Sequence, residues 1–141
     1  MKTEEILNLD YREEKTKETI QKVLRKIKPL SKYSEEYGDV PLEAIEKLIR
    51  VLCQKYEIAP QWMSMSFHEP ILGIYSIGVK TTTDHNWLGN VYGMCLYEVF
   101  AKLAIKMYSE IKQGNIELKT KTNEEKEREF LAKKVKGTEE E

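Results

Sequence analysis

The chain has 141 residues, 40% hydrophobic and 33% charged, with a net charge of −1. That length favours one domain with a modest core, and no apolar run approaches the roughly 18 residues a membrane-spanning helix needs. Charge also balances segment by segment, nine basic against eight acidic residues in 1–36 and seven against eight in both 37–113 and 114–141, so no segment carries the bulk positive charge expected of a general phosphate binder.

The first residues, MKTEEILNLDYREEK, contain no apolar h-region, and a cytoplasmic location is expected. Residues 1–10 read as loosely held. A helix is predicted over 11–28, with Asp10 as N-cap and Glu13 completing a capping box. Ile20, Val23, Leu24 and Ile27 share one narrow face, and Pro29 ends the helix. The linker PLSKYSEEYGDV follows. Pro41 then opens a helix running to about Tyr56, with Asp39 and Glu43 near its positive end. Its apolar stripe is Leu42, Ile45, Leu48, Ile49, Leu52, Cys53 and Tyr56.

Beyond Pro60 the period changes to two. Gln61 to His68 alternates Met63, Met65 and Phe67 against Trp62, Ser64, Ser66 and His68. Ile71 to Lys80 alternates in the same way, and Glu69-Pro70 marks a reversal, so an antiparallel hairpin is predicted. Gly73 and Gly78 within the second strand suggest bulges or close backbone approach. The apolar residues on the hairpin's second face, Leu72 and Ile74 with Trp62, call for cover, for which a terminal helix is the favoured candidate over a partner.

TTTDHN, residues 81–86, is a polar turn. Leu88 to Gln113 is the longest apolar segment and has helical period. Gly89 and Gly93 weaken its beginning, so Trp87–Met94 reads as an irregular lead-in and the firm helix begins near Leu96. Val99, Phe100, Leu103, Ala104, Met107, Tyr108 and Ile111 form a broad buried stripe. Glu98, Lys102, Lys106 and Glu110 recur every four residues and read as a solvent stripe. Gly114-Asn115 ends the helix. In the charged remainder, Asn123 is placed to cap a short helix with Phe130, Leu131 and Val135 as anchors, and KGTEEE reads as disordered. Cys53 and Cys95 both fall within apolar helical patterns and read as reduced core thiols.

Chemistry-bearing residues are few. Trp62, His68, Asp84, His85 and Trp87 are the candidates for a ligand-binding site or a minor active site. They supply two rings for stacking and hydrogen-bonding side chains on a loop. Asp84 to Trp87 equally suits a capping turn anchored by an aromatic. A Ser–His–Asp set from Ser64 or Ser66 lacks any nucleophile-elbow motif, so no catalytic residue is assigned. Lys22, Arg25, Lys26, Lys28 and Lys32 form a run without acids that could meet phosphates or an acidic partner, and equally a solvated helix face. There is no CxxC or HxxxH, and no glycine-rich phosphate loop, so neither metal nor cofactor is expected.

Gly93, Leu96, Tyr97, Glu98, Ala101-Lys102, Ala104 and Tyr108 carry a resemblance. They look like the closing helix of small phage and mobile-element proteins of the helix–hairpin–helix, ABA-sandwich kind, with Cys95 in place of that group's Thr and Val99 in place of its Ala. The resemblance covers residues 41–113. It implies an accessory role in a phage or integrated element and supplies no catalytic residues.

The expectation is therefore an α+β fold. A small antiparallel hairpin or sheet packs on two main helices, with charged N-terminal and C-terminal helices added. The units are a mobile or appended segment 1–36, an α-β-β-α core 37–114 and a charged tail 115–141. The leading functional expectation is a non-enzymatic accessory or interaction protein, for which a protein partner or self-association is favoured over nucleic acid. The alternatives are a ligand-binding module or minor enzyme around residues 84–87, and a nucleic-acid-binding accessory using Lys22 to Lys32.

Overall fold

A computed structural model describes residues 2–9, 13–62, 75–119, 127–128 and 130–132. The elements run α1 (Thr3–Leu7), α2 (Glu14–Lys26), α3 (Leu42–Lys55), β1 (Ile58–Trp62), β2 (Tyr75–Thr81), β3 (Trp87–Gly93) and α4 (Leu96–Lys112), with 3₁₀ turns at Lys28–Leu30 and Glu35–Tyr37. The class is α+β, as the change from helical to alternating period predicts. The sheet has the order β1-β2-β3 and is antiparallel throughout. No helix among the described residues is long and apolar enough to cross a membrane.

The hairpin pair is as expected in kind but displaced. β1 begins at Ile58, with Ile58 opposite Thr81 and Trp62 opposite Ile77. Pro60 lies inside β1, opposite Val79. Proline donates no ladder hydrogen bond, and β1 is an edge strand, where that loss is tolerated. The reversal expected at Glu69-Pro70, together with Met63, Met65, Phe67, Leu72, Gly73 and Ile74, lies outside the described residues, as do Asp10, Asn123, Val135 and the final KGTEEE.

Trp87–Met94 is not an irregular lead-in to a helix. Trp87 to Gly93 form the third strand, pairing from Tyr75–Gly93 to Lys80–Trp87 with a register shift at Val79/Lys80. Two glycines that weaken a helix serve this strand. Gly89 has φ of +120°, and at Gly93 a Cβ would stand 2.6 Å from the Val99 backbone nitrogen. Only glycine allows β3 and α4 to approach so closely. α4 then starts at Leu96, the expected position, and ends at Gly114, where φ is +81°. Gly114 N–H donates to Ile111 and Asn115 N–H to Glu110, the paired bonds of a Schellman ending.

α4 is the central element. β2 and β3 pack against it, and so do α1, α2 and α3. Its expected apolar stripe is buried at Val99, Leu103, Ala104 and Met107, with Ala101 and Ile105 added. The α3 stripe is likewise buried at Ile45, Leu48, Ile49 and Leu52. Ile6, Ile20, Leu24, Ile27 and Leu30 join the same cluster as these residues. Residues 1–10 are thus not loosely held throughout: Ile6 is buried, and Thr3 Oγ1 lies 3.0 Å from Ser109 Oγ. α1 and α2 lie against α4; Leu72, Ile74 and the Trp62 side chain, which define the sheet face expected to be covered by a terminal helix, lie outside the described residues. α2 begins at Glu14 with Glu13 as N-cap and no side-chain capping bond, so the expected capping box is not formed by Glu13.

Candidate functional site

The largest departure from the sequence reading is on α4. Glu98, Lys102 and Lys106 do not form a solvent stripe; all three are buried, Glu98 to 2% and Lys102 to 4% exposure. Lys102 Nζ stands 3.4 Å from Glu98 Oε2 and donates to the Leu9 carbonyl at 3.2 Å. Glu98 Oε1 accepts from the Met94 N–H at 3.1 Å. Lys106 pairs with Glu110 at 3.0 Å. Four-residue periodicity identifies one helix face, but which face meets water depends on neighbours. Here the residues after α1 reach Lys102 through the Leu9 carbonyl, while Lys106 lies beside β3, its Nζ 3.6 Å from where a Cβ on Gly89 would stand. Every charge in this ladder has a partner, which is the condition for burying charge.

A second polar cluster joins α2, the linker and α4. Val40 N–H donates to Gln21 Oε1 (2.9 Å), Gln21 Nε2 donates to Tyr97 Oη (2.7 Å), and Tyr97 Oη donates to the Val40 carbonyl (2.5 Å). Burial pushes the Tyr97 phenol above its ordinary pKa, and the bond from Gln21 opposes that shift. Gln21 is buried on the α2 face that the sequence reading gave only to Ile20, Val23, Leu24 and Ile27. Its signal, a polar residue beside an apolar seam, is too common to single out.

The basic run is divided among separate tasks. Arg25 donates to the carbonyls of Tyr33 (3.1 Å) and Gly38, so it fastens the linker to α2. Lys22 lines a cleft of about 540 Å³ in which Glu14, Glu18, Glu35 and Asp39 also stand. Lys26 and Lys28 are exposed. Lys32 Nζ lies 5.3 Å from the Tyr33 ring centroid.

The β2–β3 turn is internally satisfied. Asp84 accepts from the Thr81 hydroxyl and, at 2.8 Å, from Asn86 Nδ2. Asn86 N–H donates to Thr81 Oγ1 at 2.9 Å. The bond from Thr81 holds the Asp84 carboxyl below its ordinary pKa. His85 is exposed, with φ of +56°, the left-handed conformation that closes the turn. Trp87 is half-exposed, and its six-membered ring sits on Gly78, where a Cβ would lie 2.0 Å from Cη2. This is the close approach expected at Gly78. His68 and the Trp62 side chain lie outside the described residues. Of the five proposed ligand residues, Asp84, His85 and Trp87 are therefore adjacent on one turn. Two of them are engaged with the fold: Asp84 with its own turn, Trp87 with the sheet.

Cys53 is half-buried, and its burial raises the thiol pKa. Cys95 is exposed at the N-cap of α4 and is not a core thiol. Among the described residues no group of His, Cys, Asp and Glu could hold a metal ion.

An apolar groove of about 200 Å³ remains, between the 29–33 turn and α3. Leu30 and Leu48 form its base, and Pro29, Tyr33, Ala44 and Val51 line it, with Lys32 and Lys47 also contributing. Val51 is 44% exposed although it belongs to a helix of the core. The sequence carried this signal, because Val51 falls outside the α3 stripe. At the other end of the chain, residues 127–128 and 130–132 are helical, and Phe130 and Leu131 are 66% and 53% exposed. They do not anchor a helix to the body.

No protein-family model, no curated protein and no solved structure matches the chain.

Proposed function

We propose that the protein is a non-enzymatic interaction module that binds a protein chain through the groove on α3. The observation that carries this reading is the groove itself: an apolar floor, an exposed Val51 at its side and lysines among its lining. Such a combination suits an extended or helical segment with apolar anchors and acidic flanks. The internal bonding of the Asp84 turn supports the same choice, since those groups stabilise the loop instead of waiting for a ligand. An accessory role in a phage or mobile element, in the cytoplasm, is proposed with it, on the resemblance carried by residues 93–108.

The test is a photo-reactive benzoylphenylalanine placed at position 51, with position 87 as the control. A cross-linked partner identified by mass spectrometry from position 51 alone, and lost in a Lys47→Glu background, is the expected result. No adduct at position 51, or equal adducts at both positions, overturns the proposal.

A further inference from the structure

We infer that two copies of this chain pair antiparallel through the outer edge of β3, joining their three-stranded sheets into one across a two-fold axis. The surface shares no residue with the groove on α3.

The two edges of the sheet differ. β1 carries Pro60, and residues 117–119 already bond beside its start: Glu57 N–H donates to the Glu117 carbonyl (2.8 Å) and Lys119 N–H to the Lys55 carbonyl (2.9 Å). Both features keep a further strand from adding there. β3 has neither. Among the described residues it pairs with β2 alone, so every second residue turns its N–H and C=O outward with no strand to receive them. Natural edges are commonly guarded by charge or proline. Trp87–Gly93 contains no proline, and no Asp, Glu, Lys or Arg occurs from 86 to 97, in a chain that is 33% charged.

The ends of the strand specify its occupant. Trp87, the first residue, is half-exposed, and Met94 and Leu96, just past the last, are exposed. Antiparallel pairing of β3 with itself sets the first end of each copy against the last end of the other. A two-fold axis at Val91 puts Tyr92 of each copy opposite Asn90 of the other, which keeps the two pleats in phase because both residues belong to one face of the strand. The same register carries Trp87 towards Met94 and Leu96, once on each side of the axis. A thioether against an indole is a favourable contact, and the pairing takes from water three large apolar side chains that the fold leaves out. A foreign strand would have to supply matching apolar ends; a second copy has them by identity. With no charge along the edge, no like charges meet across the axis. The contact is isologous and closed, so it stops at a dimer.

The experiment is sedimentation equilibrium on the full chain, on Met94→Lys, on Leu96→Lys and on Val51→Lys. All three side chains are exposed, and circular dichroism checks that each variant retains the fold. The expected result is a concentration-dependent dimer of the parent chain, with Kd raised at least about tenfold in Met94→Lys and in Leu96→Lys and unchanged in Val51→Lys. In a mixture of two differently isotope-labelled samples of the parent chain, intermolecular nuclear Overhauser effects are expected between Asn90 of one copy and Tyr92 of the other. This second measurement uses no variant, so it decides the matter even where a substitution unfolds the chain. A parent chain monomeric at every concentration, a dimer indifferent to both Met94→Lys and Leu96→Lys, a dimer lost in Val51→Lys, or a dimer without effects between β3 strands overturns the inference. Benzoylphenylalanine at position 87 is expected to form adducts only with a second copy, whose mass distinguishes them from a different protein captured at position 51. The groove reading and the β3 pairing therefore fail independently.

Discussion

The buried Glu98–Lys102 pair makes a quantitative claim about stability. Replacing Lys102 by Met keeps the volume but strands a carboxylate that is 2% exposed and retains the Met94 N–H as partner. Removing one member of a buried pair costs about 3–5 kcal/mol. Glu98→Gln keeps an acceptor for Met94 but leaves the ammonium with the Leu9 carbonyl and an amide oxygen, at a cost of about 2–3 kcal/mol. In the double variant no charge is buried, and the loss falls to about 1 kcal/mol. The cycle therefore carries a coupling of at least about 4 kcal/mol. Urea unfolding followed by circular dichroism reads it, since a slope of about 1–3 kcal/mol/M moves the Lys102→Met midpoint by roughly 1 M or more. If the two losses add to within about 0.5 kcal/mol, the pair behaves like an ordinary exposed i,i+4 pair, and the burial argument fails.

The glycines of the sheet separate a rigid contact from a yielding one. Gly93→Ala puts a methyl 2.6 Å from the Val99 backbone nitrogen, and a loss at the upper end of about 1–3 kcal/mol is expected in thermal unfolding. Gly78→Ala meets first the Trp87 ring, a side chain that can move; it is expected to cost less and to shift tryptophan emission to the red as the indole is lifted into water. At the turn, the folded-state pKa of Asp84 is depressed, so its contribution is present above the unfolded value of about 3.9 and is lost as pH falls through the lower folded value. The stability difference between the parent chain and Asp84→Asn is accordingly expected at pH 6 and closes in acid, as measured by unfolding midpoints across pH; a difference that stays constant through the acid range refutes it.

Much of the architecture was legible because it rests on period and punctuation. The α3 stripe, the start of α4 at Leu96, its Gly114 ending and the antiparallel pairing of two strands all follow from local pattern. What escaped depended on the tertiary surroundings. Trp87 to Met94 read as an irregular lead-in because Gly89 and Gly93 oppose helix, but the sequence alone did not show that these glycines let a strand lie against α4. Glu98, Lys102 and Lys106 read as solvent-facing because charge usually is, but Lys102 meets a carbonyl 93 residues away in sequence and Lys106 lies beside β3. Of the site, Trp87 and Asp84 were legible as an aromatic and a capping turn. The groove was foreshadowed only by Val51 falling off its stripe.

The placement of α1 bears on the order of synthesis. Thr3 meets Ser109 and the Leu9 carbonyl meets Lys102, so α1 and a residue just after its end dock on an element made about a hundred residues later in the chain. At roughly 5–20 residues per second of translation, about 5–20 s pass before α4 exists to receive it. Through that interval Ile6, buried in the folded chain, has no native place to go. The Lys102 ammonium is therefore hydrated when α4 first emerges, and its bond to the Leu9 carbonyl, 93 residues away in sequence, closes a long loop of the kind that is costly to bring together early in folding.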